Sequence, residues 1–501
     1  MNRTNDAGPS GLRSLHLLSA DATVRDAVAA LEAASPKLIV IVAGDGRLIR
    51  TVTDGDIRRG LLAGIEFQDG VTELPGRDPV TVKESDPLEE SQTTLLESKV
   101  DTLVAVNESG EPVALHTASD LGQGVLLSPP HMGPNERRYV DRAFDENWIA
   151  PAGPNLAEFE KKLSAVTCCD EVLAVSSGTA ALHLALRVLG VSAGDRVYVS
   201  DLTFVASVQP ILYQGATPVL IDSEPVGWNI SPIAIRRKLT EDAKAGQLPK
   251  AIIVVHIYGQ NADIEPILAA ADEYGVPVVE DAAESLGASY HNRASGSHGR
   301  LSAYSFNGNK IITTSGGGAL ATDSPALIDR ARKLSTQGRD DALHYQHSDV
   351  AYNYRMSNVL AGIGIGQLDS LQDRVAARRK VFERYRSGLE AQRGISFQAD
   401  LPGASGNRWL TVIRLDPRHI HLHPYQLMAR LKDAGIETRP GWKPMHLQPL
   451  CAGFEFVPHD EQRVISSTLF LQTLCLPSGS SLAQATQNRI ITQIRKVLDE
   501  G

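Results

Sequence analysis

The sequence predicts an α/β fold built on a mostly parallel sheet, and two patterns carry this prediction. Between residues 128 and 366, helical stretches alternate with short apolar runs, of which four read as buried strands: Arg196–Val199, Thr217–Ile221, Ala251–Val255 and Val276–Glu280. Strands that alternate with helices in this way form βαβ units with parallel strands. A long charged helix over Asp373–Leu389 then leads into a smaller α+β lobe.

An internal repeat organises the first part of the chain. Residues 38–57 align without a gap to residues 102–121. Each copy predicts a helix (Val24–Leu31; Leu88–Leu96), a strand, a glycine turn (Gly46; Gly110), a second strand and a Thr-x-x-Asp sequence that opens a helix. Glycine and proline residues cluster over 121–134 and predict a linker. We therefore predict three domains, at residues 12–124, 128–366 and 367–501.

Composition and charge exclude several classes of protein. A net charge of −10 argues against nucleic acid or an anionic membrane as the main partner. No apolar run approaches the ~18 residues that a membrane helix needs, and the first residues lack the apolar core of a signal peptide. The four cysteines show neither metal-binding spacing nor a disulfide framework. We therefore expect a cytoplasmic protein without a metal site.

Lys310 is the most informative single residue. It stands between the end of a predicted strand, Tyr304–Phe306, and the glycine turn Gly316–Gly318. A lysine in this position suits Schiff-base chemistry with pyridoxal phosphate. The alternative is a solvated surface lysine beside an ordinary turn, so the prediction depends on the motifs that precede it.

Asp281 is the second candidate, because it ends the apolar run that begins at Val276. Ligands of open α/β sheets bind at the carboxyl ends of the strands. A carboxylate there can keep the ring nitrogen of pyridoxal phosphate protonated through a charge-assisted hydrogen bond. The alternative is that Asp281 only caps the next helix.

A third motif predicts a phosphate-binding turn. An apolar strand is followed by Ser177, Gly178 and Thr179, and a helix begins there. The free N–H groups and the positive dipole end of a helix attract a phosphate dianion. The same turn is also common as a simple helix cap, so this alternative stays open.

Together, these three elements resemble the aspartate-aminotransferase-like fold (fold type I), and specifically the DegT/DnrJ/EryC1/StrS family of nucleotide-sugar aminotransferases. The resemblance covers about residues 128 to 501. Further blocks that carry it are Asn147–Pro151, Thr203–Ser207, Val255–Gln260 and Tyr352–Ser357. Chance does not account for so many blocks in this order.

The resemblance implies a role for each matching residue. Lys310 is expected to form the Schiff base with pyridoxal phosphate and then to move protons, while Asp281 pairs with the ring nitrogen and Phe204 stacks on the ring. Ser305 is expected to help hold the phosphate. Asn353 is expected to reach the phosphate across a dimer interface, which implies a homodimer with shared sites.

Glu284 departs from the pattern of many family members. It stands where the family often has glutamine or histidine, near the phenolic oxygen of the cofactor. An ionised glutamate would repel a phenolate. Glu284 is therefore either protonated, through desolvation and charge coupling, or turned toward the substrate.

Two segments, Ser305–Gly318 and Thr438–Pro449, look most like the enzymes that aminate C4 of UDP-linked 4-keto-6-deoxy-N-acetylglucosamine, a step toward bacillosamine-type or legionaminic-type sugars. The implied amino donor is L-glutamate. The substrate-binding candidates are Arg355, Arg439, Trp442, Lys443 and His446, although such loops are also common at domain surfaces. Two alternatives remain: a C3 aminotransferase acting on another nucleotide keto-sugar, and a non-catalytic regulator on the same fold. A regulator is expected to lose Lys310 or Asp281, and both are present.

The N-terminal repeat resembles a tandem pair of CBS domains. In such domains the Thr-x-x-Asp hydroxyl meets a phosphate and the carboxylate meets the ribose of an adenine nucleotide. The matching positions are Thr53 with Asp56, and Thr117 with Asp120. A Thr-x-x-Asp sequence is also an ordinary helix cap. Nucleotide sensing, with an adenine nucleotide or a pathway nucleotide sugar as ligand, and a purely structural role therefore both stay open.

Overall fold

The computed structural model describes residues 15–500, except for residues 35–36, 77, 87–90, 92–93, 96, 99, 101 and 118–123. The chain divides into two compact units. One comprises residues 1–125 with 483–486, and the other comprises residues 126–482 with 487–501.

The first unit contains two three-stranded sheets of the same topology. One consists of β1 (Leu17–Ser19), β2 (Leu38–Val42) and β3 (Leu48–Thr53), and the other of β4 (Thr81–Lys83), β5 (Thr102–Val106) and β6 (Pro112–Thr117). In both sheets the first pair is parallel, the second is antiparallel, and a bulge interrupts the second pair at the same place. The structure thus confirms the gapless repeat.

Two helices of this unit are capped by the Thr-x-x-Asp pattern. Helix α1 (Val24–Ala33) begins after Thr23, and helix α2 (Asp54–Leu62) begins after Thr53; both ends are capping boxes. The helix predicted at Leu88–Leu96 lies largely outside the described residues. Val40 of the first sheet packs with Val104 and Leu115 of the second, so the two repeats share an apolar core.

An eight-stranded sheet forms the centre of the second unit, in the order β20, β9, β8, β10, β11, β14, β15, β7. Seven of its strands run in one direction and β15 runs against them, which confirms the mostly parallel sheet. The strands are β7 (Glu171–Val175), β8 (Arg196–Ser200), β9 (Thr217–Ile221), β10 (Ala251–Val255), β11 (Val278–Asp281), β14 (Leu301–Ser305), β15 (Gly318–Thr322) and β20 (Glu455–Val457).

Helices cover both faces of this sheet. Along β8, Val197 and Val199 pack into one core while Tyr198 packs into another, as the two-residue period of a strand requires. Burial on both faces explains why the strands read as continuous apolar runs. The helices are α3 (Asn135–Asp145), α4 (Pro154–Thr167), α5 (Gly178–Val188), α6 (Gln209–Tyr213), α7 (Pro232–Ala245), α8 (Ile264–Asp272), α9 (Pro325–Ser335), α10 (Asn358–Asp369) and α11 (Leu371–Leu389).

Two smaller antiparallel sheets contain the remaining strands of the C-terminal part, and one of them also includes two short strands from residues 289–294. One joins β16 (Ile395–Phe397), β18 (Thr411–Leu415), β21 (Thr473–Leu476) and β19 (Arg439–Pro440); the other joins β13 (Arg293–Ala294), β12 (Ser289–Tyr290) and β17 (Ala404–Ser405). The remaining helices are α12 (Pro424–Asp433), α13 (Ile465–Gln472) and α14 (Gln484–Asp499).

One C-terminal segment belongs to the large sheet, which the sequence did not indicate. Strand β20 pairs in parallel with β9 at the edge of that sheet. Asp222, directly after β9, accepts backbone N–H groups of His459, Ile465 and Ser466 at 2.9 to 3.1 Å. Part of the predicted small lobe therefore belongs to the large sheet.

In the described ranges, no helix combines the length and the apolar character needed to cross a bilayer. Over the same ranges, no group of three or more His, Cys, Asp or Glu side chains is arranged to hold a metal ion. All four cysteines are free thiols, and three of them are buried. The cytoplasmic setting stays a prediction.

Candidate active site

A cavity of about 660 Å³ lies at one edge of the large sheet. Asp281 ends β11, Ser305 ends β14, and the turn at Ser177 follows β7. These strands run in the same direction, so their carboxyl ends meet at this edge. The cavity is lined by Lys310 and by seven of the eight predicted cofactor-binding residues: Ser177, Gly178, Thr179, Phe204, Asp281, Glu284 and Ser305.

Asp281 is held by a chain of hydroxyl groups. Its Oδ2 accepts the hydroxyl of Ser207 at 2.7 Å, and its Oδ1 accepts the N–H of Ala283 at 3.2 Å. Because the single proton of Ser207 points to Asp281, the hydroxyl of Thr203, 2.6 Å away, donates to Ser207. Burial raises the pKa of the Asp281 carboxyl although these donors oppose the shift. A protonated ring nitrogen beside it would favour the ionised form.

The predicted phosphate turn lies at the start of helix α5. The Oγ of Ser177 accepts the N–H of Ala180 at 3.0 Å and so caps the helix, which was the open alternative for this residue. A capping hydroxyl keeps its own proton to donate, and the first N–H groups of the helix have no partners within the helix. Capping and anion binding are therefore compatible here.

The end of β14 and the start of β15 pack closely against this turn. A Cβ at Gly178 would lie 3.0 Å from the Cβ of Ser305, and a Cβ at Gly318 would lie 2.3 Å from the carbonyl carbon of Ser177. A Cβ at Gly316, two residues earlier, would meet nothing within 4 Å. Glycine at 318 thus lets β15 lie directly against the phosphate turn.

Lys310 enters the cavity from a turn that two distant residues hold. The carbonyl of Asn309 accepts the indole N–H of Trp409 and the hydroxyl of Ser128, both at 2.7 Å. The Nζ of Lys310 lies 4.1 Å from the centroid of the Trp409 ring and 3.4 Å from Oε1 of Glu284. Neither Ser128 nor Trp409 was predicted from the sequence. For Trp409 the only available signal was the rarity of tryptophan, with four in the chain.

Glu284 is buried beside Lys310. Burial raises the pKa of its carboxyl to about 7, although the charge of Lys310 and the backbone N–H of Tyr258 lower it. That N–H reaches Oε2 at 2.6 Å from a left-handed backbone, with φ of 57°. A tyrosine in this conformation is strained. The raised pKa has the direction expected for a protonated Glu284.

An aromatic wall continues from Lys310 along the cavity. The ring of Trp442 lies 6.3 Å from Trp409 and 5.8 Å from Phe204, which is 60% exposed. Arg439 also lines the cavity and pairs with Glu437 at 2.8 Å. The structure thus brings two predicted substrate contacts, Trp442 and Arg439, to the cavity.

Four other predicted residues lie outside the cavity lining. Asn353 is exposed, and Lys443 is exposed on the loop after Trp442. Arg355 pairs with Glu160 at 2.9 Å. His446 is bonded through Nδ1 to Asp201 at 2.7 Å and through Nε2 to Ser467 at 2.9 Å, so it anchors its loop. Their ligand contacts stay predictions, and the bonds of Arg355 and His446 account for those two side chains structurally.

In the first unit, the Thr53 hydroxyl donates to Asp56 Oδ2 at 2.6 Å, and Arg59 bonds to Oδ1 at 2.6 Å. These bonds are those of an ordinary helix cap, the alternative that the sequence left open. A nucleotide at this turn would have to compete with them. Thr117 is buried at the end of β6, and its predicted partner Asp120 lies outside the described residues.

The donor set of the cavity fits pyridoxal phosphate. Asp281 offers a buried carboxylate to a ring nitrogen, Lys310 offers an amine to an aldehyde, and Phe204 offers an aromatic face. The N-terminus of α5, with Ser177, Thr179 and nearby Ser305, offers donors to a phosphate.

Comparison with protein families agrees with this geometry. The model of the DegT/DnrJ/EryC1/StrS aminotransferase family matches residues 130–495. The chain belongs to this family. A CBS domain model matches residues 71–121, which contain the second N-terminal sheet. The family and the CBS domain expected from the sequence are thus confirmed.

The match to similar proteins covers nearly their full lengths. EpsN of Bacillus subtilis, named as a pyridoxal phosphate-dependent aminotransferase, is 49% identical over 367 residues, which are 73% of this chain and 94% of EpsN. GDP-perosamine synthase of Caulobacter vibrioides is 36% identical over 382 residues, which are 76% of this chain and 100% of the synthase.

Solved structures of a similar protein contain both forms of this cofactor. The protein Spr1654 of Streptococcus pneumoniae, named as a sugar aminotransferase, has a PLP form that matches with a TM-score of 0.68 and 25% identity, over 75% of this chain and 99% of that one. Its PMP form matches with a TM-score of 0.69. With the family match and the donor set of the cavity, these likenesses make the chain a pyridoxal phosphate-dependent aminotransferase of the sugar-aminotransferase family.

Replacing Glu284 by Gln should change how the stability of the cofactor-free protein depends on pH. A buried carboxyl with a pKa of about 7 keeps a proton that the unfolded chain, with a pKa near 4.5, has released. The wild type therefore loses stability between these pH values as pH rises. The variant lacks this loss and should gain relative stability, by up to about 3 kcal/mol at about 1.4 kcal/mol per pKa unit.

Calorimetric unfolding of both proteins between about pH 5 and pH 8 measures the difference. Glu146→Gln, at an exposed position of the same unit, is the control, and its stability should follow that of the wild type across the range. A stability difference between wild type and Glu284→Gln that is the same at both ends of the range would contradict the burial argument.

Proposed function

We propose that this aminotransferase moves the amino group of L-glutamate to the C4 keto group of a UDP-linked 4-keto-6-deoxy-N-acetylhexosamine, for amino-sugar glycan biosynthesis of the bacillosamine or legionaminic type. The two segments that line or flank the cavity, Ser305–Gly318 and Thr438–Pro449, support this acceptor through their resemblance to C4 aminotransferases. The name of GDP-perosamine synthase supports a nucleotide sugar as the substrate class.

The main support for the proposal is the size of the cavity and the side chains that line it beyond Lys310. A volume of about 660 Å³ falls in the range of ~300–1,000 Å³ that holds drug-sized ligands, and it exceeds the need of an amino acid alone. Trp442 and Phe204 offer aromatic faces to a base or sugar. Arg439 offers a planar guanidinium to a diphosphate.

The residues around Lys310 suit proton transfer near neutral pH. When bound, pyridoxal phosphate supplies an electron sink for the carbon that loses a proton. Lys310 acts as a base only as the free amine, and Glu284, 3.4 Å away, can hold a proton because its pKa is raised to about 7. Asp281 stays fixed by Ser207 and so can orient a ring nitrogen.

The test is a pair of titrations of the purified holoenzyme. L-glutamate should remove the visible absorption band of the lysine-bound cofactor, and UDP-4-keto-6-deoxy-N-acetylglucosamine should then restore it. NMR of the product should place the new amine at C4. Restoration only by a GDP-linked keto-sugar without the N-acetyl group, or an amine at C3, would contradict the proposed acceptor.

We infer a homodimer in which Asn353 reaches the phosphate in the partner's site. The exposure of Asn353 outside its own cavity is consistent with a contact in trans. Light scattering coupled to size exclusion should give twice the chain mass for the active enzyme. An active monomer would contradict the assignment.

We also infer that the N-terminal repeat binds an adenine nucleotide or a pathway nucleotide sugar and tunes the enzyme. The exposed cation of Arg59, bonded to Asp56 at 2.6 Å, supports this ligand class because a phosphate needs a positive partner near the Thr-x-x-Asp turn. Calorimetric titration with ATP, AMP and UDP-N-acetylglucosamine should give heat with one of them. Asp56→Asn should weaken binding at least about 10-fold, as expected for a lost charged hydrogen bond, whereas Asp54→Asn, on the same helix, should not. No heat with any ligand would leave the repeat a structural role.

A further inference from the structure

Arg378, on helix α11, is buried without a counter-charge. Its side chain is only 1% exposed, and its partners among the described residues are a backbone carbonyl and a hydroxyl, with no carboxylate. Burial lowers the pKa of the guanidinium to about 9, with a contribution from the charge of Arg374, so Arg378 remains charged at neutral pH. A buried unpaired cation is costly to a fold. Its position therefore calls for a role other than stability.

The two arms of this guanidinium hold two residues that both bond to one backbone carbonyl. One arm, Nη1, donates to the carbonyl of Trp409, and the other, Nη2, donates to the hydroxyl of Ser128 at 3.0 Å. Both of these residues donate in turn to the carbonyl of Asn309, Trp409 through its indole N–H and Ser128 through its hydroxyl, each at 2.7 Å. Arg378 thus stands behind both donors that hold Asn309.

Asn309 directly precedes Lys310, so the same bonds set the direction of the lysine. Trp409 acts twice, because its ring also lies 4.1 Å from the Nζ of Lys310. On the other side, Nζ lies 3.4 Å from Oε1 of Glu284. A planar guanidinium can hold two acceptors in one fixed geometry, which a lysine cannot do.

We infer that Arg378 is a positioning residue for Lys310: it fixes Ser128 and Trp409, which together hold the Asn309 carbonyl and aim the Lys310 amine into the cavity. The inference rests on Lys310 as the lysine that binds the cofactor, and it does not depend on which sugar is the acceptor. Arg378 does not line the cavity, and it acts only through its neighbours.

The test compares Arg378→Met with Arg384→Met, in the holoenzyme and without a keto-sugar. Arg384 lies on the same helix and bonds to Gln487 at 2.8 Å. Single-turnover reaction with L-glutamate should slow about 100-fold in Arg378→Met, since a misplacement of about 1 Å costs about that much. The concentration of glutamate at half-saturation should change little. Arg384→Met should react like the wild type, and Arg378→Lys should fall between them.

A spectroscopic readout separates positioning from a general loss of activity. The pH titration of the visible band reports the environment of the lysine-bound cofactor without any turnover. We expect its midpoint to move in Arg378→Met and to stay in Arg384→Met. A folded Arg378→Met protein with the glutamate rate and the midpoint of Arg384→Met would overturn the inference.

If Arg378→Met does not fold, two milder changes test the same bonds. Ser128→Ala and Trp409→Phe each remove one donor to the Asn309 carbonyl, and phenylalanine keeps a ring face toward Lys310. Each should slow the glutamate reaction about 3- to 10-fold, as expected for one lost hydrogen bond, and the double variant should slow it further. A double variant with wild-type rate and midpoint would overturn the inference.

Discussion

The rest of the site depends on the buried pair of Lys310 and Glu284. An amine and a carboxyl group are both costly to remove from water, and they persist in a fold only with further partners around them. Glu284 accepts the N–H of Tyr258 at 2.6 Å, and the Nζ of Lys310 lies 4.1 Å from the centroid of the Trp409 ring. The strained backbone of Tyr258, with φ of 57°, supplies the first of these partners. The strained backbone and the aromatic packing thus both lie around one buried pair, whose carboxyl group has a pKa raised to about 7 by burial.

The large sheet brings the other groups to this pair. Parallel strands end at one edge, so residues that are far apart in sequence, such as Ser177 and Asp281, meet at the cavity. The reversed strand β15 packs directly against the turn at Ser177, because Gly318 has no side chain that would clash with the Ser177 backbone. Asp222 then ties a C-terminal segment to the same sheet, close in sequence to the loop that carries Trp442.

Much of the site could be predicted from the sequence because its motifs are contiguous and directly follow strands. Lys310 and Asp281 were found in this way, as was the turn at Ser177. The residues that hold Lys310 could not be found, since Ser128, Trp409 and Arg378 come from three separate segments and meet only through packing. His446 shows a further limit: its loop was recognised, but the sequence does not show that its ring points to Asp201. Strand β20 was missed because three residues carry no clear period.

The most direct measurement is the location of the cofactor on the chain. The holoenzyme is reduced with borohydride, which makes a lysine-bound cofactor permanent, then digested and analysed by mass spectrometry. The account predicts one added pyridoxyl phosphate group per chain, on the peptide that contains Lys310, and none in a Lys310→Ala protein that remains folded. A label on another lysine, or a folded and active Lys310→Ala protein, would contradict it.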